Sequence, residues 1–506
     1  MRFTNFILYR SIQSLLFNMM RGIRRGTSRT DRFKLLLRGR LWFFIAMLVG
    51  AFLLNLQTPE GITDAGYRVL VMSIVATILF VTEPIPLPAV ALLIMVGQVL
   101  LLGTNSNDVA KSIMSDSVLF IMGSLMLAVA IVKQNLDKRI AFFIVKLTGT
   151  KTSHICVGIS VISGLMASVV GEHTVAAMML PVALTLIKLT NDDPKQVSQL
   201  AAALLFSIAY GCAVASISTP SGGARNAIMI GFWHDFFYDA SKPETYKYLV
   251  DYVSWILYCF PMFLMQLVVT SFILNRSFTP EYKNLNRSIV KLRIQLAEQG
   301  RMGVGDWSTI AIFCTTLYGW IMYSDTIGLG TIALMGSLAF LVLGLVKWED
   351  INTNVNWGVI LLYGAAISLG IQMKDTGAAT WLANDLINLL STVGADSGPS
   401  LWLAVSVLTT VVTNTMSNGA AVAMLGPVTL NMSVVVGESP LLMGYITAIS
   451  SSFAYLTVVG TPACTIVYSS GYLKASDFLR VGWKMVISST TLLMLFAYFY
   501  WPLLGL

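Results

Sequence analysis

Long apolar stretches follow one another along almost the whole chain, and they constrain its fold more than any other feature. Most approach the length of about 20 residues that an α-helix needs to cross a bilayer. Backbone groups in lipid must be satisfied internally, so only helices and closed barrels span membranes. The stretches exceed the roughly 10-residue alternating segments of barrel strands. The sequence therefore predicts an all-α polytopic membrane protein.

Composition agrees with this prediction, because 56% of the residues are hydrophobic and only 11% are charged. Soluble chains carry about 25% charged residues. The predicted spans are 41–57, 67–82, 88–103, 117–133, 154–170, 175–190, 199–218, 250–275, 307–324, 328–346, 357–372, 399–412, 421–436, 439–459 and 484–505.

The basic residues concentrate before the first span. Residues 1–40 hold ten basic residues and one acidic residue, Asp31. A nucleic-acid-binding arm would also be basic, but this cluster directly precedes an apolar span. Such placement is typical of the positive-inside rule and of attraction to anionic lipid. We therefore expect an amphipathic, cytoplasmic N-terminal segment on a multi-pass protein of the plasma membrane (the inner membrane in a bacterium), without a nucleic-acid partner.

A polar segment, residues 276–306, divides the rest of the chain into two parts. It carries six basic residues against Glu281, Glu298 and Asp306. The positive-inside rule places such a segment in the cytoplasm. The predicted organisation is thus a first half over 41–275, a cytoplasmic linker over 276–306 and a second half over 307–506.

The two halves repeat one pattern of helix, polar break, span and Thr-Pro pair. The break lies near 171–174 in the first half and near 417–419 in the second. The pairs that follow are Thr219-Pro220 and Thr461-Pro462. Paired interruptions at corresponding positions of two halves are the best sequence indicator of a transporter binding site. We predict a re-entrant hairpin and a broken helix in each half.

The breaks have chemistry suited to ions of both signs. Helix N-termini attract anions, and unwound carbonyls with hydroxyl and amide oxygens suit a small cation. The alternative is that these polar residues only cap broken helices or join neighbouring spans. Residues of suitable chemistry are Ser168, Thr174, Thr413, Asn414, Thr415, Ser417, Asn418, Thr461 and Thr465.

Three ionisable residues, Glu172, His173 and Arg225, lie within the breaks. Ionisable groups at membrane depth are costly and usually functional. Arg225 is predicted to clamp an anionic substrate with two parallel hydrogen bonds, or alternatively to pair with Glu172. His173 is interpreted as a proton relay, a substrate ligand or a neutral structural donor.

Other function classes find little support in the sequence. The five cysteines are scattered and the three histidines form no H-E-x-x-H pattern, so a zinc enzyme is not expected. A channel would suit the helix breaks, but no ring of pore charges is evident. The sequence predicts a transporter and not an enzyme.

Several motifs resemble those of the divalent anion/sodium symporter (DASS) family, over roughly residues 41 to 505. The motifs are Thr82-Glu83-Pro84-Ile85-Pro86, Ala177-Met178-Met179-Leu180-Pro181, Trp357-Gly358-Val359-Ile360-Leu361-Leu362-Tyr363-Gly364, Asn414-Thr415-Met416-Ser417-Asn418-Gly419-Ala420-Ala421 and Gly460-Thr461-Pro462. The resemblance implies a homodimer with a scaffold domain and a moving transport domain in each protomer. It also implies two inverted repeats and an elevator-type motion. The implied substrates are di- and tricarboxylates or sulfate, with sodium coupling or, in some branches, exchange.

At the second break the resemblance implies one sodium site and part of a substrate site. The family's Ser-Asn-Thr tip reads Ser417-Asn418-Gly419 here, so the threonine hydroxyl is lost. The implied sodium ligands are Thr413, the Met416 carbonyl, Asn418 and Gly460, and the implied substrate ligands are Ser417, Asn418, Gly419, Thr461 and Pro462.

The first break departs further from the family pattern. Glu172 and His173 stand where Ser and Asn are expected, and Thr174 is kept. Ser168 and Glu172 are the implied ligands of a first sodium site. His173, Thr174, Thr219, Pro220 and Arg225 are the implied substrate ligands of this half. An imidazole and a guanidinium here favour, as an alternative, a proton-linked or cation-independent anion exchanger.

Overall fold

The computed structural model describes residues 40–134, 149–191, 193–286, 302–458 and 460–506. These residues form helices joined by short turns, and within the described ranges the β-structure is a single isolated bridge between Lys151 and Asn284. Nine helices in these ranges are long and apolar enough to cross a membrane. The predicted all-α membrane fold is confirmed.

In the described part of the first half there are ten α-helices. They are α1 (Leu41–Leu54), α2 (Asp64–Thr82), α3 (Leu87–Leu102), α4 (Ser106–Ile113), α5 (Asp116–Lys133), α6 (Thr152–Val170), α7 (Glu172–Thr190), α8 (Ser198–Ala215), α9 (Ala224–Phe237) and α10 (Tyr252–Ser277).

The described residues from 302 onward form ten more α-helices. They are α11 (Val304–Ile327), α12 (Leu329–Val342), α13 (Trp348–Asn354), α14 (Trp357–Asp375), α15 (Ala378–Ser391), α16 (Gly398–Thr413), α17 (Asn418–Val436), α18 (Pro440–Ser450), α19 (Pro462–Tyr468) and α20 (Ala475–Leu495).

The first break is narrower than the predicted four residues. Only Gly171 lies outside the helices, with φ of 92°, a left-handed conformation that glycine adopts without a steric cost. Glu172, His173 and Thr174 form the first turn of α7. A polar run at a helix start looks like a loop in sequence, because polar residues are common in both.

The second break spans Asn414 to Ser417, so it begins earlier than predicted. Asn418 and Gly419 already belong to α17. Ser417 caps that helix, since its hydroxyl accepts a hydrogen bond from the amide of Ala420 at 3.4 Å. In both repeats the predicted tip therefore consists of one residue before a helix, Gly171 or Ser417, followed by residues of the first turn of that helix.

Each half also contains a broken helix that ends at a serine cap and resumes after a Thr-Pro pair. In the first half α8 ends before Ser216 and α9 begins at Ala224. In the second half α18 ends before Ser451, so the predicted continuous span 439–459 is wrong. The sequence from 451 to 458 is apolar enough to look like a span, but its backbone is unwound.

The prediction of the spans also omits several helices. One of them is α9, and the segment between it and α8 covers only residues 216–223. The other omitted helices are α4, α13, α15 and α19. All five have 14 residues or fewer and fall below the length expected of a span.

The two halves interlock through their tip helices. Helix α7, which starts at the first break, packs against α19 of the second half. Helix α17, which starts at the second break, packs against α9 of the first half. This reciprocal packing places the start of each tip helix beside the broken helix of the other repeat. The central helix α8 is buried along its length, from Leu200 to Ala215.

Parts of the predicted organisation lie outside the described residues. These parts are the basic N-terminal segment up to residue 39 and residues 287–301 of the linker. The flanking helices extend into the predicted linker, because α10 ends at Ser277 and α11 begins at Val304.

Candidate functional site

A cluster of oxygen atoms surrounds the carboxamide of Asn418 at the second tip. The end group of this side chain lies 2.9 Å from Thr413 Oγ1, 3.1 Å from the Ser451 carbonyl oxygen and 3.0 Å from the Gly460 carbonyl oxygen. The Thr413 hydroxyl also donates to the Ser451 carbonyl at 2.6 Å. All four residues are buried. Hydroxyl, carbonyl and amide oxygens are the ligands that a small hard cation prefers.

The amide of Asn418 has two orientations with different consequences. When its oxygen points inward, four oxygen atoms face one another, and a bound cation is what would relieve their repulsion. When its nitrogen points inward, Nδ2 donates to the three surrounding oxygens and Oδ1 accepts from Arg225 Nη1 at 3.0 Å. The second orientation pairs every donor with an acceptor without any ion. The same atoms can therefore hold a cation or close on themselves.

Three of the four predicted sodium ligands come together in this cluster. Thr413 Oγ1 and the Gly460 carbonyl oxygen each lie within hydrogen-bond distance of the end group of Asn418. Met416 is buried in the turn between α16 and α17, and the role of its carbonyl stays a prediction. The Ser451 carbonyl was missed from the sequence. The signal for it was the run Ser450-Ser451-Ser452 shortly before Gly460, where a helix that stops would leave carbonyl groups free.

Arg225 connects the two tips. Its Nη1 lies 3.9 Å from Glu172 Oε1 at the start of α7 and 3.0 Å from Asn418 Oδ1 at the start of α17. Its Nη2 donates to the Ser216 hydroxyl. The side chain is only 2% exposed. These contacts favour the alternative in which Arg225 pairs with Glu172, and the substrate clamp stays a prediction.

Glu172 has few other contacts. Its side chain is 9% exposed, and its Oε2 atom has no hydrogen-bond partner in the part of the chain that the structure describes. An ion removed from water costs several kcal/mol unless an opposite charge compensates it. Arg225 is the cation that faces it at ion-pair distance. The two residues therefore depend on each other within the fold.

In the first repeat the carbonyl oxygens of Ser168, Ser216 and Thr219 accept hydrogen bonds from protein donors, whereas Asn226 Oδ1 has no partner among the described residues. The Asn226 amide donates to the Ser216 carbonyl at 2.8 Å and to the Thr219 carbonyl at 2.7 Å. The Thr219 hydroxyl donates to the Ser168 carbonyl. The Ser168 hydroxyl donates to Leu165 in its own helix at 2.7 Å. Ser168 and Glu172 are the predicted ligands of a first sodium site. No hydrogen bond joins their side chains, and their role as ligands stays a prediction.

The loss of the threonine at the second tip has a steric reason. A Cβ atom at Gly419 would overlap the ring of Tyr363 from α14 and lie 2.8 Å from its hydroxyl oxygen. The Tyr363 hydroxyl has no hydrogen-bond partner among the described residues, and the side chain is half-buried. Its hydroxyl thus takes the position beside the tip that a threonine would approach. In the sequence, Tyr363 is marked only by its place in the motif Trp357–Gly364.

Restoring the threonine is expected to harm this protein. Gly419→Thr places a branched side chain against the Tyr363 ring, and such overpacking costs about 1–3 kcal/mol. We expect uptake to fall about tenfold or more. Replacing Tyr363 by alanine in the same chain makes room for the new side chain and restores part of the loss. Uptake by the single and double variants measures this coupling, and equal uptake by Gly419→Thr and the unaltered protein would contradict it.

The remaining predicted substrate residues differ in accessibility. His173 and Pro462 are exposed, and Thr174 and Ser417 are half-buried. Thr219, Pro220 and Thr461 are buried, and both threonines cap the turn that follows them, by accepting from Gly222 at 3.0 Å and from Cys464 at 3.1 Å. The two Thr-Pro pairs thus hold the ends of the broken helices.

Two interlocked repeats, with a cation-type oxygen cluster and a buried guanidinium where broken helices meet, define a secondary transporter of the membrane. The sequence assigns the chain to a particular family of transporters. The family described as "Sodium:sulfate symporter transmembrane region" matches residues 39–506, and the chain belongs to it. The resemblance to the DASS family is therefore confirmed, as is the prediction of a transporter and not an enzyme.

Relatives of the chain extend over nearly its full length. It is 26% identical over 496 residues to the sodium-dependent dicarboxylate transporter SdcS of Staphylococcus saprophyticus, which covers 92% of this chain and 91% of the relative. It is 24% identical over 520 residues to the sodium-dependent high-affinity dicarboxylate transporter 3 of Caenorhabditis elegans, covering 92% and 88%.

Two solved structures share the fold at low sequence identity. The Alcanivorax borkumensis YdaH transporter aligns with a TM-score of 0.52 at 13% identity, over 78% of this chain and 87% of that one. Neisseria gonorrhoeae MtrF aligns with a TM-score of 0.55 at 10% identity, over 92% and 95%.

Proposed function

We propose that this protein is a sodium-coupled symporter of small anions, with dicarboxylates as the first candidates and tricarboxylates or sulfate as the others. The single observation that carries the proposal is the oxygen cluster of Thr413, Asn418, Ser451 and Gly460 at the second tip. The relatives named as sodium-dependent dicarboxylate transporters support both the cation and the substrate class.

The anion would bind beside this cluster, at the starts of α7 and α17. The first backbone N–H groups of a helix are free to bind an anion, and the dipole favours negative charge there. The accessible side chains are His173, Thr174 and Ser417. A sodium ion in the adjacent cluster contributes positive charge, so that the affinities for cation and anion rise together.

The conformational part of the proposal rests on the family resemblance. We expect a homodimer in the plasma membrane with a cytoplasmic N-terminus, in which a transport domain moves against a scaffold. The reciprocal packing of α7 on α19 and of α17 on α9 supports one moving unit, because it ties both tips to both broken helices.

One observation favours a second function, an anion exchanger without cation coupling. Arg225 already supplies a fixed positive charge between the tips, and its contact with Asn418 closes the oxygen cluster without an ion. An exchanger of this kind would require an anion on each side of the membrane, while a symporter would require a sodium gradient.

Uptake by proteoliposomes separates these functions. The purified protein is reconstituted, and labelled succinate, citrate and sulfate are supplied with an inward sodium gradient, with equal sodium on both sides, or with potassium in place of sodium. We expect accumulation of at least one dianion only under the sodium gradient. Accumulation that needs internal unlabelled anion and ignores sodium would establish the exchanger instead.

A further inference from the structure

The two repeats have equivalent polar positions but different donors around them. Ser168 precedes His173 by five residues, as Thr413 precedes Asn418. Ser216 follows the last residue of α8, as Ser451 follows the last residue of α18. The atoms that build the cation-type cluster in the second repeat thus have counterparts in the first.

The helices that follow the interruptions of the two broken helices, α9 and α19, differ in the side chains that they place at these positions. Helix α9 begins Ala224-Arg225-Asn226, while α19 begins Pro462-Ala463-Cys464. In the second repeat the carbonyls of Ser451 and Gly460 receive the end group of Asn418 from the tip itself. Because the start of α19 is neutral and apolar, it contributes no charged or amide side chain to that cluster. The carbonyls are therefore bound by Asn418 or by an ion.

In the first repeat two side chains of α9, Arg225 and Asn226, donate hydrogen bonds at the equivalent positions. Asn226 donates to the Ser216 and Thr219 carbonyls at 2.8 and 2.7 Å. Arg225 donates to the Ser216 hydroxyl and carries a full positive charge 3.9 Å from Glu172. A sodium ion here would have to displace these donors and lie beside a guanidinium. Like charges at such short range repel strongly where water is excluded.

We propose that Arg225 is the resident cation of the first repeat, so that each protomer binds one sodium ion, at the second tip alone. This inference rests on the proposed sodium-coupled transport and specifies its stoichiometry. Glu172 compensates the guanidinium within the fold, and Asn226 satisfies the carbonyls that an ion would otherwise bind.

The contact between Arg225 and Asn418 gives the resident cation a second effect. Sodium binding requires the amide oxygen of Asn418 to point into the cluster, and its nitrogen then faces Arg225 Nη1 at 3.0 Å. Two donors at that distance oppose each other, and a hydrogen bond to a charged group is lost. Such a bond contributes about 1.5–3 kcal/mol, so we expect Arg225 to weaken sodium affinity about tenfold or more.

The test is sodium binding by the purified protein in detergent, measured by equilibrium binding of radioactive sodium without substrate. We expect one saturable sodium per protomer in the unaltered protein and none in Asn418→Ala. A matched control is Asn431→Ala on the same helix, where the amide bonds Pro427 and Thr380; it retains the one site. Two or more sodium ions per protomer in the unaltered protein would overturn the inference.

A second variant tests the antagonism directly. Glu172→Gln with Arg225→Met removes both charges together and leaves no buried ion. We expect its sodium dissociation constant to fall about tenfold, since the donor facing Asn418 is gone. An unchanged or higher constant with the stoichiometry of one would overturn the second effect of Arg225.

Exchange of labelled for unlabelled dianion across proteoliposomes separates this inference from the proposed function. If the protein exchanges dianions and binds two or more sodium ions per protomer, the one-sodium stoichiometry is wrong and the proposed sodium-coupled transport stands. If exchange of every tested anion is absent while sodium still binds in a one-to-one ratio, the stoichiometry stands and the proposed substrate class is wrong.

Discussion

Asn418→Ala is expected to lower sodium-driven uptake by about two orders of magnitude. The substitution removes the amide that lies 2.9 to 3.1 Å from Thr413, Ser451 and Gly460, and with it the amide oxygen that completes the cation-type cluster. Loss of one hydrogen bond to a charged group costs about 1.5–3 kcal/mol, and the upper end of that range corresponds to roughly a hundredfold in binding. The measurement is the initial rate of labelled dicarboxylate uptake under a fixed sodium gradient.

Asn431→Ala is the control for this prediction, because it removes the same side chain from the same helix. The Asn431 amide donates to Pro427 at 2.7 Å, within its own helix, and is half-buried away from the second tip. We expect its uptake to stay within about twofold of the unaltered protein. Uptake by Asn418→Ala at near-normal rates, with the protein intact in size-exclusion chromatography, would refute the assignment of the second tip.

The fold class and the positions of the breaks were predictable from sequence, because they depend on length and hydrophobicity. An apolar stretch in lipid has few alternatives to a helix. The paired polar interruptions predicted near 171–174 and 417–419 lie within a few residues of the breaks between helices at Gly171 and at 414–417. Three of the four sodium ligands that the family resemblance implies lie close together, and their role as ligands stays a prediction.

The details of the site were not predictable, because they depend on contacts between distant residues. The Ser451 carbonyl belongs to the cluster through its backbone position, and the serine run 450–452 indicates only that a helix can stop there. Tyr363 lies 56 residues before Gly419, and only packing brings them together. Arg225 and its alternative partner Glu172 were recognised from the sequence, but the contact of Arg225 with Asn418 depends on the position of α9, which the prediction of the spans omits.

Loss of stability, and not only loss of transport, is expected from Arg225→Ala. The change leaves Glu172 buried without the cation that faces it at 3.9 Å, and it also removes the donor to Ser216. Breaking a buried ion pair from one side costs about 3–5 kcal/mol. We expect a correspondingly lower free energy of unfolding, measured by tryptophan fluorescence in mixed micelles over a denaturant series.

The double change Glu172→Gln with Arg225→Met distinguishes a charge effect from a loss of packing. Removing both charges together is often neutral for stability, because neither ion is then left uncompensated. We expect the double variant to recover most of the stability that Arg225→Ala loses.

Arg480→Ala serves as the exposed control, where a hydrogen bond to the Ser277 carbonyl at 3.2 Å is lost at a cost of about 0.5 kcal/mol or less. If Arg225→Ala were as stable as this control while substrate affinity collapsed, the guanidinium would be a substrate ligand and the ion pair incidental. If Arg225→Ala has the expected lower free energy of unfolding and the double variant does not, then Arg225 is held in place by Glu172, and its fixed charge is a permanent part of the site.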